Sequence, residues 1–373
     1  MSLQRNSMAV RGFRLSMRAV AGLQRLVAQL LPAPFRLIQM GSAFWLSRAL
    51  DVATRLDIAS QLGDDTLAVG DLAGRLQVSP DALARLLRLL VASGVFAEPQ
   101  RGCFCNSSTS AWLRQDHPRS VRAMVLLHNS RAMSAPWYWH LEEGIRQGVP
   151  PFVLSHGQKL FERLNADAPF DALFSAAMDS VEALAGDSFT TDMDWQRVGR
   201  IIDVGGSRGR KSLALLRRHG HLRACVVDRP GVVAEALRYW CEHPEPALDR
   251  LQFVAGDLFE MLPEAQDEGD LYLLSAVLHG FGEADCLKGL ATLRRAIGQS
   301  GARVVLMEMV LADDHPDLPG ALCDMQMFMA GQGRERTLDE WRTLCLRGGF
   351  QIEEVVETRS LAKLLVLRLA QQG

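Results

Sequence analysis

Three short apolar runs in this chain each end on a carboxylate. Arg200-Ile-Ile reaches Asp203, Arg223-Ala-Cys-Val-Val reaches Asp228, and Leu251-Gln-Phe-Val-Ala-Gly reaches Asp257. Asp203 is followed by a break into small residues, Val204-Gly-Gly-Ser-Arg-Gly209, and then by the basic, helix-compatible segment 210–218. That is the order of a strand, a tight turn and a helix N-terminus in a nucleotide-binding βαβ unit. A turn built for pyrophosphate offers backbone N–H groups and avoids negative charge. Asp203, just before the turn, instead favours a cation such as the amino group of a methionine moiety. Asp228 ends the second strand, where a ribose diol is usually held. Asp257 can accept from an adenine amino group, with Leu258 and Phe259 to sandwich the ring. In this order the three acids fit S-adenosylmethionine better than a dinucleotide. Gly205, Ser207, Gly209, Arg229 and Ser275 complete the expected cofactor contacts.

A second group of residues could move a proton. His279 follows the buried-type strand Leu271-Tyr-Leu-Leu, at the carboxyl edge where ligands sit in doubly wound sheets. Arg303-Val-Val-Leu-Met-Glu308 is the next strand and brings Glu308 to the same edge. Glu335 lies just ahead of Thr337-Leu-Asp-Glu340, a capping box that opens another helix. Methyl transfer from a sulfonium needs in-line approach of a nucleophile, and a phenol near pH 7 is mostly protonated. An imidazole can take that proton, for a gain of about 10²–10⁴-fold. A carboxylate beside the other ring nitrogen fixes the tautomer and stabilises the imidazolium. A lone histidine after a strand is more often structural. The base reading of His279 predicts a rate that rises through a pKa near that of an ordinary histidine.

These residues need a large scaffold, and the composition supplies one. With 373 residues, 48% hydrophobic, and a net charge of −2, the chain can bury two cores. The near-zero charge and the lack of a basic-aromatic array argue against a nucleic-acid partner. No apolar run approaches the length of a membrane span, so stable membrane insertion is not expected. The seven cysteines are scattered, and Cys103-Phe-Cys105 is too tight for a usual zinc pair. We therefore expect reduced thiols in a cytoplasmic protein and no metal site.

The sequence reads as four segments. Residues 1–38 form a basic amphipathic extension. The first fifty residues hold seven arginines and no acid, with Phe13, Met17, Val20, Leu23, Val27 and Leu31 at helical spacing up to Pro32 and Pro34. Such a segment suits a targeting peptide, a membrane surface, or a helix that is packed on a dimer partner or left partly disordered, and the last reading is favoured. In 39–118, Ser79 N-caps a helix with Pro80 at its first position and Leu83, Leu86, Leu87 and Leu90 on its apolar face. The strands Val95-Phe-Ala-Glu and Gly102-Cys-Phe-Cys follow, which makes a winged helix without a basic reading face. Residues 119–194 read as a helical lid rich in thioether and aromatic side chains. Met124, His128, Trp137, Phe174 and Met178 from it, with Met325, Phe328 and Met329, are the expected substrate pocket. Residues 195–373 form the cofactor-binding domain.

The chain resembles the class I O-methyltransferases of the plant caffeate and flavonoid type and their bacterial relatives in secondary metabolism, including the phenazine and anthracycline enzymes. The matching pieces are Asp203-Val-Gly-Gly-Ser-Arg-Gly, Val227-Asp228-Arg-Pro-Gly-Val-Val, Gly256-Asp257-Leu-Phe, Ser275-Ala-Val-Leu-His279, Val304-Val-Leu-Met-Glu308 and Gly333-Arg-Glu335-Arg-Thr337. The resemblance implies a Rossmann-like doubly wound α/β sheet preceded by a helical, winged-helix-like dimerisation domain, in a homodimer. It also implies that Glu308 and Glu335 flank His279, one orienting the imidazole and the other shaping the substrate side. Three positions depart from the pattern. Ser207 replaces the middle glycine of the turn, Gly280-Phe281 replaces Asp-Trp after the histidine, and Ser275 stands where plant members often carry lysine. If position 207 needs a positive φ, serine is strained there.

The expected function is methylation of a phenolic hydroxyl on a small aromatic or polycyclic metabolite. Two rivals remain. One is other chemistry on the same scaffold, either N-methylation or cofactor-assisted decarboxylation or hydroxylation. The other is a catalytically silent binding or regulatory relative.

Overall fold

The computed structural model describes residues 2–313 and 316–370. The chain divides into two compact units: residues 1–17, 140–160 and 185–373 in one, and residues 18–139 and 161–184 in the other.

The larger unit is built on an eight-stranded sheet. Its strands are β4 (Arg200–Val204), β5 (Arg223–Asp228), β6 (Leu251–Ala255), β7 (Asp270–Ser275), β8 (Arg303–Leu311), β9 (Arg336–Thr337), β10 (Phe350–Glu357) and β11 (Ala362–Leu369). The strand order is β10-β11-β8-β7-β4-β5-β6, with β9 beside the end of β8. Strands β6, β5, β4, β7 and β8 run parallel, and β11 and β10 are antiparallel additions. The expected doubly wound sheet is therefore present.

Side-chain alternation explains why these runs are strands. Ile202, Val204, Tyr272, Leu274, Val304 and Leu306 fill the core on one face. Ile201, Val226, Leu271, Leu273, Val305 and Met307 fill the other. A parallel sheet buried on both faces needs apolar residues at successive positions, which is what these runs supply. The chain leaves β4 toward β5 and β6, then returns to lay β7 on the opposite side of β4. Between the carboxyl ends of β4 and β7 lies the switch point where such sheets bind ligands.

In the smaller unit, strands β1 (Leu67–Ala68), β2 (Phe96–Gln100) and β3 (Cys103–Asn106) form a sheet of order β1-β3-β2. Helix Pro80–Ala92 begins as the sequence predicts, with Ser79 accepting from the Ala82 N–H. Leu83, Leu87 and Leu90 are buried against Ile58, Leu62, Leu72 and Phe104. This is the winged-helix arrangement.

Helix Ser7–Leu30 and helix Ala33–Arg55 meet at the expected proline break. Leu15, Val20, Leu23, Leu26, Phe35, Ile38 and Trp45 on them are exposed. Among the described residues no helix is long and apolar enough to cross a membrane.

The segment read as one helical lid, 119–194, is helical but divided between the units. Helix Pro151–His156 packs on helix Leu318–Ala330 in the sheet-containing unit, and Phe152 is fully buried there. Helices Arg122–Asn129, Arg131–Trp139 and Ala168–Ala185 belong to the other unit, apart from the last residue of the third.

Candidate active site

The turn after β4 is shaped by Asp203 and Asp228. Asp203 is only 1% exposed, and its Oδ2 accepts from the Ser212 hydroxyl at 2.6 Å. Gly206 lies directly on this carboxylate, so a Cβ there would come within 2.5 Å of Asp203 Cγ. Only glycine permits so close an approach. Asp228 accepts from the Ser207 N–H at 2.9 Å and from the Arg229 N–H at 2.7 Å, which ties the turn to the end of β5. Gly205 and Gly209 have φ of +73° and +71°, and Gly209 N-caps helix Arg210–Arg218. Ser207 has φ +51°. The strain that the sequence made conditional is therefore present, at about 1–2 kcal/mol for a residue with a Cβ.

The other cofactor candidates lie along the same edge of the sheet. Asp257 is exposed and accepts from the Phe259 N–H at 2.8 Å. Phe259 meets Phe281 edge-on, with ring centroids 4.9 Å apart. The aromatic residue that departs from the family pattern thus extends an aromatic wall. Leu258 is buried in the core against Gly289. Ser275 closes β7, and the next residue, Ala276, has φ +52° while its N–H donates to the Met307 carbonyl. This second left-handed residue turns the chain toward His279, a feature with no signal in an alanine codon.

Three chain segments converge on His279. Its Nδ1 lies 2.7 Å from Glu335 Oε1. Glu335 is fully buried, whereas the His279 side chain keeps 18% exposure. The second carboxylate does something else. Glu308 Oε1 accepts from the Val277 N–H at 3.1 Å and the Leu278 N–H at 3.0 Å. It therefore holds the backbone that carries the histidine, and Glu335 holds the ring. Which glutamate touched the imidazole was open in the sequence.

Burial by itself would pull the His279 imidazole down, but the Glu308 charge and the Glu335 hydrogen bond outweigh it and lift it to about 9. Burial pushes the Glu308 carboxyl up to about 7, against the pull of the His279 charge. Glu308 Oε2 and Glu335 Oε2 are buried without hydrogen-bond partners among the described residues.

The sequence assigned no role to three residues around this pair. Cys323 Sγ lies 3.1 Å from Glu335 Oε1 and donates to it. Asp324 Oδ1 accepts from the Glu335 N–H at 2.9 Å. Gly333 packs flat on the histidine's own backbone, where a Cβ would stand 2.3 Å from the His279 carbonyl oxygen. Beside it the Arg334 N–H donates to that same oxygen. Gly333 opens one of the matching pieces in the sequence, but nothing there pointed to this contact.

Met325 and Phe328 are half-buried on helix Leu318–Ala330, in the same unit as His279, but Met329 is wholly enclosed. Met124, Trp137, Phe174 and Met178 are half-buried and His128 exposed, all on helices of the other unit.

Residues 138–351 match the O-methyltransferase domain, and residues 38–116 match the O-methyltransferase dimerisation domain. Phenazine-1-carboxylate N-methyltransferase of Pseudomonas aeruginosa is 32% identical over 339 residues, covering 90% of this chain and 97% of that protein. Phenazine O-methyltransferase PhzM of Lysobacter antibioticus is 28% identical over 324 residues, covering 87% and 93%. The crystal structure of LaPhzM aligns with a TM-score of 0.84 at 27% identity, over 91% of this chain and all of that one. That of NcsB1 from neocarzinostatin biosynthesis, in complex with S-adenosylmethionine and 2-hydroxy-5-methyl naphthoic acid, aligns with a TM-score of 0.71 at 27% identity, over 87% and 96%. The first domain match alone spans more than half of this chain, which therefore belongs to the O-methyltransferase family and is an S-adenosylmethionine-dependent methyltransferase.

Proposed function

We propose that the chain methylates a phenolic hydroxyl of a small aromatic or polycyclic metabolite, with His279 as the base. The observation that carries this reading is the 2.7 Å contact between His279 Nδ1 and the fully buried Glu335. In this reading the other ring nitrogen, Nε2, takes the phenolic proton, while Glu335 stabilises the imidazolium that forms. Glu308 fixes the turn on which the ring is mounted.

The residues after β4, β5 and β6 fit S-adenosylmethionine, because Asp228 accepts from the Ser207 N–H and so stands against the small-residue turn after β4. Asp228 would hold the ribose hydroxyls. Phe259 would face the adenine, and Asp257 its amino group. Asp203 would act from beneath the turn. When bound, the cofactor supplies an electrophilic methyl group. We also propose a homodimer formed through the winged-helix unit, on the strength of its dimerisation-domain match, with a mass in light scattering near twice that of the chain. All seven cysteines are free thiols, which supports a cytoplasmic setting.

One observation favours a second reading. A ring nitrogen with a lone pair needs no base, and an imidazole raised to about 9 is mostly protonated at neutral pH. The 32% identical Pseudomonas relative carries N-methyltransferase in its name. Incubation with methyl-labelled S-adenosylmethionine and a panel of phenazine, quinone and flavonoid phenols, beside matched phenazines lacking hydroxyls, separates the two by mass spectrometry. Under the phenol reading His279→Ala lowers turnover of a high-pKa phenol by about 10²-fold or more while cofactor affinity barely changes. Wild-type rates in that variant would refute it.

A further inference from the structure

His279, Cys323 and Glu335 each offer one ligand atom, and the three atoms lie within 4.8 Å of one another. An imidazole, a thiol and a carboxylate are the donor set of zinc, and three protein ligands with an open fourth position are the pattern of an accessible rather than a structural zinc site. We propose that this cluster binds a borderline-soft divalent cation of the zinc class, and that binding switches methyl transfer off.

The distances are close to those required. His279 Nδ1 and Glu335 Oε1 stand 2.7 Å apart, and Cys323 Sγ and the same oxygen 3.1 Å apart. Tetrahedral zinc with bonds of about 2.0–2.3 Å sets these edges at about 3.4 and 3.6 Å. These two edges therefore open by about 0.7 and 0.5 Å to admit the ion, while the His279–Cys323 edge lies within 4.8 Å.

Electrostatics does not oppose occupation. Glu308 and Glu335 are both buried, each with one oxygen lacking a hydrogen-bond partner among the described residues. Exchanging an imidazolium proton and a thiol proton for one dication leaves the net charge beside the two carboxylates unchanged, so their compensation is kept. The Asp324 carboxylate on the Glu335 N–H supports the loop that presents the ligand. The reaction balances as an exchange: Cys323 loses its thiol proton and His279 any proton it carries, both to solvent, and the cation takes their place. Affinity must then rise with pH. With Nδ1 on the metal, the imidazole is no longer supported by Glu335. The inhibitory consequence thus rests on His279 being the base, whereas the binding itself does not.

The test uses the full chain and zinc ions alone. Calorimetry in the absence of substrate should show a binding event that Cys323→Ala weakens at least a hundredfold and His279→Ala weakens likewise. In methyl-transfer assays, zinc should silence the wild type reversibly, with a chelator restoring the rate, and Cys323→Ala should need at least a hundredfold more zinc. Cys323→Ser, which keeps the size of the side chain but not the zinc-binding thiolate, serves if the alanine variant does not fold. Zinc binding unchanged in both cysteine variants would overturn the site. Binding that needs Cys323 but leaves turnover intact would overturn the inhibition and leave the base reading to be judged by its own variant.

Discussion

Replacing Glu335 by glutamine keeps an oxygen for the His279 ring and removes the charge behind it. The imidazole sits at about 9, lifted by Glu308 and Glu335 against the opposing effect of burial. At pH 7, two units lower, about one imidazole in a hundred is then neutral. A hydrogen bond to a charged group is worth about 1.5–3 kcal/mol. At 1.36 kcal/mol per unit, losing the charged partner lowers the imidazole by about one to two units. NMR titration of labelled histidine, with His279→Ala to assign the resonance, should show a midpoint near 9 in the wild type and between about 7 and 8 in Glu335→Gln. The consequence for rate has two parts. Because only the neutral ring accepts a proton, methyl transfer to a high-pKa phenol should rise with pH toward 9 in the wild type, above the ordinary histidine range that the sequence suggested. In the variant this rise should move to lower pH, while the plateau falls because the imidazolium formed in the reaction has lost its counter-charge. The same coupling has a sign for stability. A group raised in the folded state contributes stability below its unfolded value of 6.5, and that contribution disappears as pH climbs through about 9. An imidazole midpoint that stays put or moves upward in Glu335→Gln would refute the reasoning.

Gly333→Ala should cut turnover about tenfold or more with circular dichroism unchanged, since its Cβ would collide with the His279 carbonyl and push the Glu335 loop away. Ser207→Gly relieves a left-handed residue. Calorimetric melting should rise by about 1–3 °C, and a lower midpoint would show that serine makes a compensating contact. Asp228→Ala should weaken S-adenosylmethionine binding at least tenfold in titration calorimetry, from loss of a charge-assisted hydrogen bond of about 1.5–3 kcal/mol. Unchanged affinity would remove Asp228 from the site.

Much of the fold was legible because it is written in short-range patterns. The runs ending at Val204, Asp228, Ala255 and Ser275 are strands, the Ser79 cap starts its helix, and the Thr337–Glu340 capping box forms with both hydrogen bonds in place. What stayed hidden depends on contacts between residues far apart in the chain. Nothing local distinguishes Glu308, which grips two amides thirty residues earlier, from Glu335, which grips the ring. Ala276 adopts a left-handed backbone between the end of β7 and the histidine although alanine has no preference for it. Met329 looks like a pocket residue by type, yet the core encloses it completely.

The contacts that hold position 279 in place fall largely on its backbone. Glu308 binds the preceding amides, Gly333 lies on the carbonyl, and Arg334 donates to it, while Glu335 and Cys323 gather at the side chain. Structural support and chemical identity are therefore separable at this position. Mutation can exchange the imidazole for another side chain without dismantling the scaffold that aims it. A lineage can thus explore acceptors that need a proton removed and acceptors that do not through one substitution. Such a division makes the site evolvable: the geometry is inherited from main-chain hydrogen bonds, and under the proposed base role the reaction is set by the side chain mounted on them.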